Sequence, residues 1–245
     1  MRTLCTLLTF AAALSAQPLP GTKPLELQGD PAQQMADGIV RYLRRATAES
    51  VAGRKPSPER LRTILGVTDQ RPAPVAPELV ARLGEPALLV STPAYRVYAV
   101  RWHVTNGITA EGLLFEPAGK ARARVVAIPD ADQLPEQFSA AQQLAAAGCQ
   151  VLAPVLINRQ NTWSGNLKIR MTNQPHREFL YRMAFEVGRT PWGYETEKVL
   201  AAVDWFAAQP KLPIGVWGYG EGGAPALFAA ALDSRIDAAV ISGFF

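Results

Sequence analysis

The chain has 245 residues, of which 48% are hydrophobic and 19% are charged. A chain of this length typically buries about 70–75% of its unfolded surface, so it fits one sizeable domain with an N-terminal arm. The 25 Lys and Arg residues against 21 Asp and Glu residues give a net charge of only +4, and the basic residues form small patches. We therefore expect no nucleic-acid binding.

Residues 1–16 have the composition of a secretory signal peptide. Arg2 supplies a positive charge, an apolar stretch extends from Leu4 to Leu14, and small residues follow. The apolar stretch is too short for a membrane-spanning helix. We expect cleavage near Ala16 and an exported mature protein, periplasmic or secreted, without stable membrane insertion after cleavage. Cys149 would then be the single cysteine, and we interpret it as a packed small hydrophobic residue.

Residues 17–90 are expected to form an N-terminal helical arm and a proline-rich linker. Asp30-Pro31 and Ser57-Pro58 each place a capping residue before a proline, which indicates the starts of two helices. The stretch that follows the second helix is rich in proline, and we interpret it as a linker that lies on the surface.

Residues 91–245 are expected to form the main domain, of the α/β class. Residues 95–104 alternate with the period of a strand, and Asn106-Gly107 predicts a hairpin that returns the chain as a second strand. After the hairpin, short apolar strands alternate with amphipathic helices. The pattern predicts a mostly parallel sheet with helices on both faces, behind an N-terminal antiparallel hairpin. The predicted strands are 125–128, 151–155, 214–217 and 238–241, and the predicted helices are 135–147, 175–187, 194–208 and 224–232.

Residues 216–223 read VWGYGEGG, a predicted strand that leads into a glycine-rich turn and then a helix. The pattern G-x-S-x-G presents a nucleophilic serine on such a turn. In this chain Gly218 and Gly222 hold the flanking positions, Tyr219 follows the first glycine, and Gly220 stands where the serine would be. The turn therefore has its glycines and lacks the reacting hydroxyl.

Three interpretations of this turn remain open. In the first, Gly220 occupies a strained position and the chain is a weak catalyst or a binder, since a site without its nucleophile retains only roughly 10³–10⁴-fold acceleration over water. In the second, the carboxylate of Glu221 or Asp130 acts as base or nucleophile. In the third, Gly218, Gly220 and Gly223 form a dinucleotide fingerprint, a weak match because the turn follows a late strand. We expect no cofactor.

Polar residues at the predicted carboxyl edge of the sheet are further candidates. Asp130 and Asp132 follow the strand 125–128, at the edge where ligands bind in open α/β sheets. We interpret Asp132 as a helix cap. His176 follows a long polar loop and is a candidate for the cleft, whereas His103 lies in a strand and is interpreted as structural. Two distant histidines and one cysteine do not form a zinc site, so we expect no metal.

With this turn, the Asp130 loop and the HREF and WGYE segments, the chain resembles exported α/β-hydrolases of the acetyl xylan esterase and dienelactone hydrolase type. It is similar in particular to a bacterial subgroup with an N-terminal arm, the phrase RLRTILGV and a GYGEGG turn. The resemblance extends from about residue 57 to the end. It implies hydrolysis of a carboxylic ester of a carbohydrate or other small molecule, with backbone oxyanion donors at Ala131 and Glu221.

The serine, the acid and the histidine that such hydrolases use do not carry over onto this sequence. Because the chain stops at Phe245, just past the sixth expected strand, we expect it to be a truncated piece of a longer protein. Our hypothesis is an exported esterase-type protein that is weakly active or inactive by the serine route. The alternative is a non-catalytic ligand-binding or scaffold protein on the same fold.

Overall fold

A computed structural model describes residues 20–23, 28–52, 54–55, 57–105, 107–160 and 175–245. The predicted signal peptide and most of the long polar loop lie outside the described residues. The chain divides into two units, Met1–Lys55 and Pro56–Phe245. This division lies earlier than the boundary that we expected near residue 90, because residues within 57–90 pair with and pack against the rest of the second unit.

The first unit contains one described helix, α1 (Pro31–Val51). Asp30 caps it by accepting a hydrogen bond from the backbone N–H of Ala32 at 2.9 Å, and Pro31 holds the first helical position. The helix start predicted from Asp30-Pro31 is therefore confirmed. No helix among the described residues is long and apolar enough to cross a membrane.

The second unit is built on one eight-stranded mixed sheet in the order β1-β3-β4-β6-β5-β7-β8, with β2 also paired to β3. The strands β5 to β8 are joined by parallel pairings, and the others are antiparallel. The predicted fold class is confirmed. The strands are β1 (Glu78–Leu79), β2 (Leu88–Ser91), β3 (Tyr95–Thr105), β4 (Ile108–Pro117), β5 (Ala123–Ile128), β6 (Cys149–Pro154), β7 (Ile214–Tyr219) and β8 (Ala238–Ser242).

The proline-rich stretch is not only a linker, because it supplies β1 and β2. Glu78 pairs with Arg101 and Leu88 pairs with Tyr98, both on the outer edge of β3. A sheet edge offers unpaired backbone N–H and C=O groups, and an extended segment that is free of proline can pair with them. The prolines of this stretch lie outside the two short strands.

The helices of the second unit are α2 (Pro58–Leu65), α3 (Ser139–Ala146), α4 (His176–Phe185), α5 (Pro191–Ala207) and α6 (Gly223–Leu232). The prediction of one helix over 135–147 is wrong at its start. Residues Pro135–Gln137 form a short 3-10 turn, and α3 begins only after Phe138, whose backbone is extended and whose side chain is buried in the core. α5 begins earlier than predicted, because the Thr190 hydroxyl caps the N–H of Gly193 at 2.9 Å.

The core has two layers, one on each face of the sheet. Val126 and Ile128 of β5 pack in one cluster with Phe206 of α5. Val125 of the same strand packs on the other face with Ala141 of α3. Successive side chains of a strand point to opposite faces, so the apolar run of β5 serves both layers. The predicted covering of both faces by helices is therefore present.

Cys149 begins β6 and packs, half-buried, against the cluster that contains Ala141. Burial raises the pKa of its thiol. A raised pKa keeps the thiol protonated and less reactive, which agrees with a packing role.

Candidate functional site

The glycine turn joins β7 to α6 at the carboxyl edge of the sheet. A Cβ atom on Gly218 would lie 2.6 Å from the carbonyl carbon of Gly222, and one on Gly222 would lie 2.5 Å from the carbonyl oxygen of Ile128. These contacts are with backbone atoms, which cannot move aside. Close approach of the backbone therefore requires glycine at both flanking positions of the turn.

Gly220 begins the turn itself, with φ at +55°. A Cβ atom placed on it would lie 2.5 Å from Oδ1 and 2.7 Å from Cγ of Asp130. The left-handed backbone disfavours other residues there. The space in which a side chain at position 220 would stand is thus filled by the carboxylate of Asp130.

Asp130 directly follows β5 and reaches across to the turn. Its Oδ1 accepts a hydrogen bond from the backbone N–H of Glu221 at 2.8 Å, and its Oδ2 accepts one from Nη2 of Arg159. The Glu221 N–H is the one that the resemblance implies as an oxyanion donor. In this structure it is bound to a side chain of the protein itself. Ala131, the other implied donor, is buried in the next position of the loop.

The side chain of Glu221 points at positively charged and N–H groups. Its Oε2 accepts hydrogen bonds from Nε1 of Trp192 at 2.9 Å and from Nη2 of Arg177 at 3.3 Å. Its Oε1 lies 3.8 Å from Nη1 of Arg159. The carboxylate is therefore held by groups of three separate segments. Tyr219, the remaining residue of the predicted turn, is exposed at the end of β7.

Behind this carboxylate lies a buried ion pair between Arg177 and Glu195. Nη1 and Nη2 of Arg177 each donate to one oxygen of Glu195 at 2.7 Å, and the Glu195 side chain is 0% exposed. Ile157 donates its N–H to Glu195 Oε1 at 3.0 Å and accepts from Arg177 Nη1 at 2.9 Å. Burial alone would lower the pKa of Arg177, but hydrogen bonding to Glu195 and the charges of Glu195 and Glu221 raise it.

Arg159 connects the two aspartates of the rim. Its backbone N–H donates to Asp132 Oδ1 at 2.7 Å and its Nε donates to Oδ2 at 3.0 Å. The backbone hydrogen bond is the main cause that lowers the pKa of Asp132, and the side-chain bond to Asp132 raises that of Arg159. The interpretation of Asp132 as a helix cap is wrong, because its carboxylate binds Arg159 and Leu134 precedes the next helical turn.

The two histidines lie apart. His176 begins α4, donates its backbone N–H to the carbonyl of Gln160 at 2.8 Å, and has a buried Nδ1 with no partner among the described residues. None of its described bonds joins it to Asp130 or Glu221. His103 is exposed on β3, with Nε2 at 3.8 Å from Glu78 Oε1. In the part of the chain that the structure describes, no three His, Cys, Asp or Glu side chains form a cluster that would hold a metal.

Sequence reasoning missed four participants, namely Arg159, Arg177, Trp192 and Glu195. They contact their partners across 18 to 62 sequence positions, so no local pattern joins them. The local signal is the presence of Glu195 and Glu197, two charged residues that are buried within α5; of the two, Glu195 forms the ion pair in the described part of the chain. A buried charge requires a partner, and that requirement points to an arginine in a neighbouring element.

The sequence profile of the Dienelactone hydrolase family matches residues 110–243. The chain belongs to the dienelactone hydrolase family. The match begins in β4 and continues through β8, so this family member has Asp130, Arg177 and the whole glycine turn within the matched region. No curated protein matches the chain.

Solved structures share the fold of this family member. A candidate acetyl xylan esterase from Bacteroides fragilis NCTC 9343 has a TM-score of 0.56 at 16% identity, with 74% of this chain and 50% of that chain covered. The acetyl xylan esterase from Paenibacillus sp. R4 gives 0.50 at 17% identity, with 76% and 60% covered. Methylesterase BT1017 gives 0.52 at 16% identity, with 74% and 38% covered. The resemblance stated from the sequence is confirmed in family and fold, and this chain spans about half the length of the first of these proteins.

Proposed function

We propose that this chain is an exported relative of the carboxylic ester hydrolases that is inactive, or only weakly active, by the serine route. Gly220 has no hydroxyl, and the atoms of Asp130 fill the space of a side chain at that position. An enzyme that loses its nucleophile keeps only roughly 10³–10⁴-fold acceleration over water.

The observation that carries the proposal is the hydrogen bond from the Glu221 N–H to Asp130 Oδ1. Hydrolysis of an ester builds negative charge on the carbonyl oxygen, and an oxyanion hole stabilises that charge with preorganised N–H groups. Here one such N–H is already bound to a carboxylate. A second negative charge beside Asp130 would be repelled, so the turn lacks a stabilising donor as well as an attacking oxygen.

A carboxylate route through Glu221 or Asp130 has weaker support from the geometry. Glu221 is held by Trp192 and Arg177, and Asp130 by Arg159 and the Glu221 N–H. Either group would have to break these bonds before it attacked a substrate. The bonds therefore favour a structural role for both carboxylates.

The experiment compares hydrolysis of 1-naphthyl acetate by the wild-type chain, Glu221→Gln and the exposed control Glu85→Gln. We expect all three to release naphthol at the rate of the heat-denatured protein or only slightly faster, and we expect no covalent adduct with a fluorophosphonate in the intact mass. Rapid turnover that Glu221→Gln abolishes and Glu85→Gln retains would establish the carboxylate route instead. Rapid turnover that neither change affects would contradict both assignments.

A non-catalytic ligand-binding protein is the second candidate function, and an apolar cavity beside the turn favours it. The cavity has a volume of about 600 Å³ and is lined in part by Arg159, Arg177 and Trp192, which all contact Glu221. This candidate predicts that a ligand raises the melting temperature without forming product. A screen without any stabilising ligand, combined with measurable hydrolysis, would count against it.

Export is proposed from residues 1–16 alone. Expression in a Gram-negative host followed by mass spectrometry of the periplasmic fraction tests it. We expect a mature chain that begins near Gln17. An intact N-terminus in the cytoplasmic fraction would contradict the assignment.

A further inference from the structure

The cavity beside the glycine turn has mostly apolar walls. Leu61 and Ile64 of α2, Tyr181 of α4, Trp192 of α5 and Phe228 of α6 surround the volume of about 600 Å³. The rings of Trp192 and Phe228 meet with centroids 6.0 Å apart at 55°. All these elements belong to the second unit, so one compact body forms the walls.

Several of these apolar side chains contact solvent. Ile64 is 62% exposed, Tyr181 is 43% exposed and Trp192 is 38% exposed. Removing apolar surface from water contributes about 25 cal/mol per Å². A concave site with exposed aliphatic and aromatic walls gains this free energy when an apolar molecule enters it.

One end of the cavity is polar, and Arg159 supplies the open donors. Its Nε and Nη2 bind Asp132 and Asp130, whereas Nη1 is 3.8 Å from Glu221 Oε1, beyond hydrogen-bond distance. Among the described residues no acceptor binds Nη1. The neighbouring Arg177 already donates both terminal nitrogens to Glu195, Glu221 and the carbonyl of Ile157.

The charges at this end select against an anion. Among the described residues, the two guanidinium groups are in contact with four carboxylates, so this set of ion pairs carries a net charge of −2. Glu178 at the cavity wall is itself paired with Arg182. A negatively charged ligand would meet this excess, whereas a neutral oxygen can accept a hydrogen bond from Arg159 without that repulsion. The carboxylates are Asp130, Asp132, Glu195 and Glu221.

We infer that this cavity binds a neutral molecule with an apolar aryl or alkyl body and one oxygen acceptor, such as an ester, and discriminates against the corresponding carboxylate. The apolar body contacts Ile64, Trp192 and Phe228, and the acceptor oxygen binds Nη1 of Arg159. This inference rests on the ligand-binding function proposed above and names its ligand class.

The direct test titrates the full chain with methyl 4-phenylbutanoate and with 4-phenylbutanoate, which share one body and differ in charge. Calorimetry measures both affinities. We expect the ester to bind at least about tenfold more tightly than the carboxylate, because both probes offer an acceptor oxygen and only the carboxylate is repelled by the excess negative charge. Equal or tighter binding of the carboxylate overturns the inference, as does the absence of binding by both probes.

Two variants locate the binding. Ile64→Ser removes an exposed wall residue and should weaken ester binding roughly fivefold through lost apolar contact. The control Leu83→Ser changes a fully exposed apolar side chain outside the cavity and should leave the affinity unchanged. Arg159→Gln should weaken the ester and leave butylbenzene, which has no acceptor, unaffected. If Ile64→Ser leaves the affinity for the ester unchanged, the assignment of the binding site to this cavity is overturned.

Product analysis separates this inference from the proposed inactivity of the turn. If the ester binds through Ile64 and is also hydrolysed rapidly, the proposal about the turn fails and the ligand class stands. If the ester is neither hydrolysed nor bound more tightly than the carboxylate, the inference about the ligand class is wrong and the proposal about the turn stands.

Discussion

Oδ1 of Asp130 lies 2.8 Å from the backbone nitrogen of Glu221, although the two residues are 91 positions apart in the chain. The parallel pairing of β5 with β7 produces this contact, because Ile128 lies opposite Gly218. The loop after one strand and the turn after the other thus meet at one edge. Asp130 consequently fills the space in which a side chain at position 220 would stand. Its carboxylate also accepts a hydrogen bond from the backbone N–H of Glu221, the next residue.

The first prediction concerns coupling between positions 220 and 130. Gly220→Ser should lower the free energy of unfolding by about 1–3 kcal/mol, because its Cβ would meet Asp130 on a left-handed backbone. In the double variant with Asp130→Ala, the loss should be smaller than the sum of the two single losses, by about 1 kcal/mol. Urea unfolding of the four proteins gives the coupling energy.

Gly119→Ser is the control for this cycle, since a Cβ at Gly119 meets no atom within 4 Å and φ is not in the left-handed region. It should change stability by less than about 0.5 kcal/mol. Strictly additive losses at positions 220 and 130 would show that Asp130 does not fill the space over Gly220 in solution.

The second prediction concerns the buried pair of Arg177 and Glu195. Arg177→Met should lower the free energy of unfolding by about 3–5 kcal/mol, because it leaves the fully buried Glu195 carboxylate without its charge partner. Arg182→Met removes a guanidinium from the same helix, but from an exposed pair with Glu178, and should cost less than about 0.5 kcal/mol. Equal losses in urea unfolding would contradict the burial of the first pair.

The third prediction is a dependence of stability on pH through Glu197. This side chain is buried in α5, and neither carboxylate oxygen has a partner among the described residues. Burial first, and then the charge of Asp69, raise its pKa from 4.5 to about 7, although Arg189 and Arg71 oppose the change. Between pH 4.5 and about 7, Glu197 therefore keeps its proton in the folded state and has lost it in the unfolded state.

The stabilising effect of this proton is complete below pH 4.5 and is lost as the pH rises through about 7. At about 1.4 kcal/mol per pH unit, the loss is about 2–4 kcal/mol. Urea unfolding at a series of pH values should show that loss between about pH 4.5 and 7 in the wild type and much less of it in Glu197→Gln. The exposed control Glu85→Gln should behave as the wild type. Parallel curves for all three proteins would exclude Glu197 as the cause.

The fourth prediction concerns the packing of α2 on the start of α5. A Cβ on Gly193 would overlap the carbonyl group of Leu65 and lie 3.1 Å from its carbon atom. Alanine normally favours a helix over glycine by about 1 kcal/mol, yet Gly193→Ala should destabilise this protein by about 1–3 kcal/mol. Gly119→Ala is the matched control. A stabilised Gly193→Ala in thermal unfolding would show that the two helices are not in close contact.

Local patterns were sufficient for most of the secondary structure. Capping residues before proline marked the starts of α1 and α2, alternation marked β3, and short apolar runs marked the strands of the parallel part of the sheet. These signals act within one turn or one strand, so they can be read without knowledge of distant neighbours. These local signals did not predict β1 and β2, because the pairing of these two strands depends on the free edge of β3.

The glycine turn was visible in the sequence for the same local reason. Close backbone contacts at the junction of strand and helix require glycine at positions 218 and 222. This requirement explains the spacing of the two glycines in the sequence. The sequence also placed Asp130 and Glu221 at the same edge of the sheet, since both follow parallel strands. It offered no means to learn that one of them binds the N–H of the other.

That contact, the bridge of Arg159 and the burial of Glu195 beneath Arg177 depend on strand register and helix docking. Such pairs join residues 18 to 91 positions apart, and their energies depend on distance and burial, not on spacing along the chain. Residue types and their periods thus specified the elements and the shape of the turn. Packing of those elements in three dimensions brought a carboxylate, instead of open space, to the position over Gly220.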